Sequence, residues 1–145
     1  MTRLLLANIL LLLAAACARA PAVPSIEVRD AWARATAPGQ STGAVYATLV
    51  NGGADDRLVA AATPVATTAS LHSSETVNGV AQMRMLRALP IPAEATVRLE
   101  PGGTHVMLDG LAAPLVAGKQ VALTLRFAKS GTKDVMATVV APGSR

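Results

Sequence analysis

Apolar and polar residues alternate in short bursts along most of this chain, and a period of two predicts strands rather than helices. Ile26 to Ala35 sets Ile26, Val28, Ala31 and Ala33 between charged neighbours, Gly43 to Val50 reads as a second strand, and Val121 to Phe127 alternates cleanly. Val135 to Val140 is rich in β-branched residues and carries Met136, which reads as core. Turn chemistry separates these bursts at Ala37-Pro38-Gly39-Gln40, Asn51-Gly52-Gly53, Pro101-Gly102-Gly103 and Ser130-Gly131-Thr132-Lys133. Leu58 to Leu71 contains Pro64 and is therefore expected as two short strands, the second delivering His72 at its end. Asn78-Gly79 has the left-handed tolerance a two-residue hairpin needs, which puts Met83 and Met85 on the following strand. Pro90-Ile91-Pro92 is expected to break the chain before a further strand from Ala95 to Leu99. Strands at intervals of about ten residues predict one all-β sandwich or barrel domain. No internal repeat and no long helical period is present.

The first residues break this pattern. Arg3 precedes an apolar run from Leu4 to Ala16 that only Asn8 interrupts, the layout of a secretory signal peptide, and the run is shorter than the roughly twenty residues of a membrane span. Ala14-Ala15-Ala16-Cys17 resembles a bacterial lipobox, so residues 1–16 are expected to be removed before a lipidated Cys17. The competing reading is an ordinary secreted protein cut after Ala16 or Ala20. Cys17 is the only cysteine, and a free thiol has little other use in an oxidising compartment. Residues 17–25 then read as a flexible tether, 26–141 as the domain and 142–145 as a short tail. The expected location is periplasmic or otherwise extracytoplasmic, with the membrane reached through the lipid.

Composition narrows the function classes. A single cysteine allows no intrachain disulfide, no Cys-x-x-Cys redox pair and no cysteine-rich zinc site, and with no cysteine near the histidines a blue-copper electron carrier is not expected. Trp32, Tyr46 and Phe127 are the whole aromatic supply, so the interior must be aliphatic, and single-stranded nucleic acid would find no stacking platform. The formal charge is +4, or +3 once Arg3 has left with the leader, and the basic residues are scattered as a solvated surface would have them. Nucleic acid is not an expected partner.

Chemistry concentrates in one stretch. The two histidines are His72 and His105, and Met83, Met85 and Met107 lie between or beside them. His105 and Met107 are two apart, as are Met83 and Met85, so each pair shares one face of a strand, and two such pairs could face one another across a sheet. Imidazole and thioether form a soft donor set that selects Cu(I) over harder divalent ions. Taken singly, each methionine could be packing and each histidine a surface residue. Both imidazoles must be neutral to bind, so affinity is expected to fall in acid.

The spacing His72, ten residues, Met83, twenty-one residues, His105, one residue, Met107 is the motif of the PCu(A)C copper chaperones, which this chain resembles over roughly residues 26 to 140. Asp30-Ala31-Trp32-Ala33-Arg34-Ala35-Thr36, Gly43-Ala44-Val45-Tyr46, Asn51-Gly52-Gly53 and Pro101 to Leu108 are similar to the family as well. The resemblance implies a cupredoxin-like Greek-key β-sandwich or barrel. It also implies one Cu(I) held by His72, Met83, His105 and Met107, and delivery to cytochrome c oxidase copper centres or their assembly factors. Some members carry a His- and Met-rich tail with a second copper, and Ala141-Pro142-Gly143-Ser144-Arg145 offers no such ligand. Met85 is left open as an alternative ligand, a hydrophobic lip or core.

Two other classes compete. An enzyme would need a catalytic constellation, and Ser73-Ser74-Glu75 beside His72 is a weak one, with no nucleophile elbow, His-Glu-x-x-His or phosphate loop; no enzyme is expected. Copper storage, or a structural lipoprotein whose histidines and methionines merely pack, would leave the motif without a transfer role.

Overall fold

The structure, a computed structural model, describes residues 23–145. The leader and Cys17 lie outside those residues. Ten strands and no helix make up the described part: β1 (Ile26–Arg34), β2 (Thr42–Asn51), β3 (Asp56–Ala62), β4 (Ala66–Val77), β5 (Val80–Leu86), β6 (Leu89–Ile91), β7 (Thr96–Leu99), β8 (Thr104–Leu111), β9 (Gln120–Phe127) and β10 (Thr132–Val140). Seven of them close into a barrel in the order β4, β8, β2, β1, β10, β9, β3, the last returning to β4 through Ala61 and Ala69. β1 and β10 run parallel and the other pairs antiparallel. β5 hangs on the free edge of β4, β6 extends β3, and β7 pairs with β2 beyond the end of β8. The expected all-β, cupredoxin-like architecture is the one observed.

Period-two alternation decides which side chains fill the barrel. Val121, Leu123, Leu125 and Phe127 of β9 point inward with Ala137 and Val139 of β10, and Val45, Leu49, Leu58, Val106 and Leu108 complete an interior closed to solvent. Burying one such leucine contributes about 2 kcal/mol. The interior is aliphatic as the composition required, with Phe127 its one ring. Met136, expected in the core, is instead 53% exposed, because Ala137 and Val139 claim the inward positions of β10.

One inserted residue redirects β1. The register runs evenly from Ile26 opposite Asn51 to Arg29 opposite Thr48, then resumes at Trp32 opposite Tyr46. Three steps on β1 match two on β2, which is a β-bulge, and Asp30 takes the left-handed conformation at φ 50°. Ile26 and Val28 therefore face inward before the bulge and Ala33 after it, while Trp32 turns to the outer surface beside Tyr46.

Three local expectations need correcting. Pro90 does not break the chain: it lies in β6 opposite Arg57, at the sheet edge where a missing N–H costs no ladder bond. His72 sits in the middle of β4, paired with β8 on one edge and β5 on the other, and the strand continues to Val77 because β5 pairs with it up to the hairpin turn. Thr132 and Lys133 belong to β10 rather than to the turn before it.

Candidate metal centre

The β4–β5 hairpin sets the first half of the site. Asn78 and Gly79 take φ values of 51° and 78°, the signature of the tight turn expected there. Counting outward from Val77 opposite Val80, Ser74 falls opposite Met83 and His72 opposite Met85. On its other edge β4 pairs with β8, which places His72 opposite His105 and Ser70 opposite Met107. Opposed residues share a face. His72, Met83, Met85, His105 and Met107 therefore lie on one face of a three-strand patch, on the outside of the barrel, since Leu71, Val106 and Leu108 take the inside. The two two-residue pairs do not meet directly; β4 runs between them and contributes His72.

The same row continues past β8. Tyr46 stands next to His105 with ring centroids 6.2 Å apart, and Trp32 stacks on Tyr46 at 4.5 Å. His72 and His105 have centroids 6.1 Å apart and ring planes inclined by 32°. Burial grades along this row: His105 is 5% exposed, His72 and Met107 are half-buried, and Met83 and Met85 are 53% and 69% exposed. An open cleft of about 510 Å³ lies over it, with Arg34, Tyr46, Ser74, Met83, His105 and Met107 in its wall. Met85 and His72, which face one another across β5 and β4, are not part of that wall.

A short excursion of the chain orients His105. Leu99 of β7 faces Ala47 and Val106 of β8 faces Val45, so Glu100 to Gly103 loop out between two strands that share the same edge of β2. The loop is held by the Thr104 carbonyl accepting from Glu100 N–H at 2.8 Å and the Glu100 carbonyl accepting from Gly103 N–H at 3.1 Å. Its Gly103 carbonyl then accepts from the Ser74 N–H at 3.0 Å and lies 3.1 Å from Nδ1 of His105. That contact protonates Nδ1 and leaves the lone pair of Nε2 free. On His72 the contact is reversed: Nε2 lies 3.0 Å from the Ser70 hydroxyl, while Nδ1 is buried with no hydrogen-bond partner. An orphaned buried nitrogen beside two thioethers and a second imidazole fits a soft metal ion as the missing partner.

The surroundings carry little charge. Burial pushes the Tyr46 hydroxyl above its ordinary range, opposed by the positive charge of Arg34. Among the described residues no three His, Cys, Asp or Glu side chains gather as a metal site, so hard oxygen donors do not compete with this soft set. Pattern reading missed Ser70, Gly103, and the placement of Tyr46 and Trp32. Ser70 could have been found, because it lies two residues before His72 and so on the same face. Tyr46 and Trp32 depend on strand neighbours far apart in the chain.

Residues 26–139 match the family model of LpqE-like lipoproteins. Lxx21020 of Leifsonia xyli subsp. xyli (strain CTCB07), a protein bearing a lipoprotein name, is 37% identical over 116 residues, which cover 79% of this chain and 69% of that protein. Among solved structures, the Cu(I) form of DR1885 from Deinococcus radiodurans is 37% identical with a TM-score of 0.64, covering 87% of this chain and 83% of its own. The copper-bound PCuAC domain from PmoF2 is 26% identical with a TM-score of 0.69, covering 83% and 96%. The apo PCuAC domain from PmoF1 is 28% identical with a TM-score of 0.70, covering 83% and 97%.

Proposed function

This chain belongs to the LpqE-like lipoprotein family and is homologous to copper-binding PCuAC domains, and on that footing we propose that it is a copper chaperone carrying one Cu(I) on His72, Met83, His105 and Met107. The observation that supports this reading best is the convergence of two imidazoles and the Met83 and Met107 thioethers on one outer face, with His72 Nδ1 buried and unpartnered. The ring centroids lie 6.1 Å apart, and two imidazoles bonded at about 2 Å to one four-coordinate ion would have theirs roughly 5 Å apart, so loading would draw the rings together by about 1 Å. Met83 is favoured over Met85 as the fourth ligand because the motif spacing selects it and because it lines the cleft that His105 and Met107 also line, with His72 just outside that wall.

Transfer rather than storage is favoured by the exposure of Met83, which leaves the ion open to stepwise attack by an acceptor's ligands from the β5 side. The proposed acceptors are cytochrome c oxidase copper centres or their assembly factors. The proposed setting is outside the cytoplasm, with Cys17 lipidated as the family name suggests. The domain acts as a carrier and not as an enzyme. A Cu(I) titration against a chromophoric competitor tests the site: one tight equivalent is expected, weakened in both His72→Ala and Met107→Ala, and binding indifferent to both changes would sink it. Mixing the loaded protein with an apo oxidase copper domain and following the metal by mass spectrometry tests delivery, since copper that stays put would leave only storage.

A further inference from the structure

The two imidazoles are oriented differently, and the difference is built into the sheet. Gly103 holds His105 through Nδ1, whereas Ser70 holds His72 through Nε2 and leaves Nδ1 buried without a partner. We infer that Ser70 is a positioning residue that fixes His72 as its Nε2–H tautomer, so that the metal is taken by Nδ1 of His72 and Nε2 of His105. This deepens the copper reading above and rests on it.

The physical reason lies in what a neutral imidazole can offer. It has one N–H and one lone pair, and a hydrogen bond that uses the N–H decides which nitrogen is left to ligate. Ser70 can accept from Nε2–H with its hydroxyl oxygen while keeping its own proton for another acceptor. Its position is not incidental: it lies two residues from His72 on the same face of β4 and directly opposite Met107 on β8. One small side chain thus stands between a nitrogen and a sulfur ligand of the proposed site.

A consequence follows for where the ion sits. Nδ1 is the ring nitrogen next to Cγ, close to the backbone, and Nε2 is the remote one. An ion taken by Nδ1 of His72 and Nε2 of His105 would be held nearer the backbone of β4 than that of β8. On its other edge β4 is flanked by β5, the strand that carries the exposed Met83 and Met85.

The test is a long-range proton–nitrogen NMR spectrum of the folded protein labelled at histidine, without metal and with one equivalent of Cu(I). Wild type is expected to show Nε2–H for His72 and Nδ1–H for His105, with the copper-induced nitrogen shift on Nδ1 of the first and Nε2 of the second. Ser70→Ala should give His72 as a mixture of tautomers and lower Cu(I) affinity by about 10-fold or more, the usual cost of losing an outer partner, while leaving the thermal midpoint within a few degrees. Ser70→Thr keeps the hydroxyl on a strand that favours β-branched residues and should restore both readouts. A copper shift on Nε2 of His72, or a Ser70→Ala protein with unchanged tautomer and affinity, would overturn the assignment. If wild type took up no Cu(I), the copper reading itself would fall, and the metal-free spectrum would still decide which tautomer Ser70 holds.

Discussion

Met83 and Met85 are chemically identical, two residues apart and on one face, yet their neighbours differ. Met83 faces Ser74 and lines the cleft, while Met85 faces His72 and lies outside the cleft wall. Replacing Met83 or Met107 by leucine keeps the volume and removes the sulfur, so Cu(I) affinity should fall on the order of 100-fold, the upper end of what losing an outer partner costs. Met85→Leu should leave equilibrium affinity unchanged within about threefold. A competitor titration of the three variants checks both statements, and equal losses at 83 and 85 would mean that the two methionines share the ion. The same scale shows why Met136 was misread: its type suits a core, but alternation along β10 gives the inward positions to smaller neighbours. Residue type states what a side chain can do, and register states where it is.

Register in turn is a property of elements, and the hairpin between β4 and β5 is the element on which the site depends. Gly79 holds φ 78°, where a side chain costs about 1 kcal/mol. Gly79→Ala should therefore loosen β5 more than the barrel: amide exchange of Val80 to Leu86 should accelerate and Cu(I) affinity drop, with little change in the thermal midpoint. This hairpin was legible in the sequence because its turn chemistry and both partner strands are contiguous. The β1 bulge was legible only in part: the apolar phase slips by one residue between Val28 and Ala31, but the slip identifies a bulge at Asp30 only once the β2 register is known. It has its own test. Asp30→Gly suits φ 50° and should be neutral or slightly stabilising, whereas Asp30→Val should destabilise by about 1–2 kcal/mol in denaturant unfolding. Pro90 was misjudged for a related reason, because its strand partner Arg57 lies far back in the chain.

At the scale of the whole molecule, the barrel is clasped by a buried carboxylate. Asp56 opens β3 and is 2% exposed. It accepts from the N–H groups of Arg57, Lys129 and Ser130 and from the Ser130 hydroxyl, so it ties β3 to the turn between β9 and β10. Burial alone would push its carboxyl up, but the Ser130 hydroxyl and those N–H groups together hold it below the ordinary carboxylate range. A carboxyl lowered in the folded state stabilises above its unfolded value and loses that contribution as pH falls through the folded one. Stability should thus be level above about pH 5 and decline below about pH 4. Asp56→Asn should cost about 2 kcal/mol at neutral pH and flatten that acid limb in pH-dependent denaturation. Period-two patterning gave the fold class, and the four motif residues could be picked out by type and spacing. The clasp and the approach of Tyr46 to His105 could not, because each joins segments dozens of residues apart, and the closure of β3 on β4 rests on one short contact, Ala61 opposite Ala69, that carries no sequence signal. The outward turn of Trp32 has one more use. It is the single indole of the chain, stacked on Tyr46 and only one ring removed from His105. The fold therefore carries its own optical reporter, whose fluorescence should dim as copper loads and recover as an acceptor draws the metal away, with no label attached.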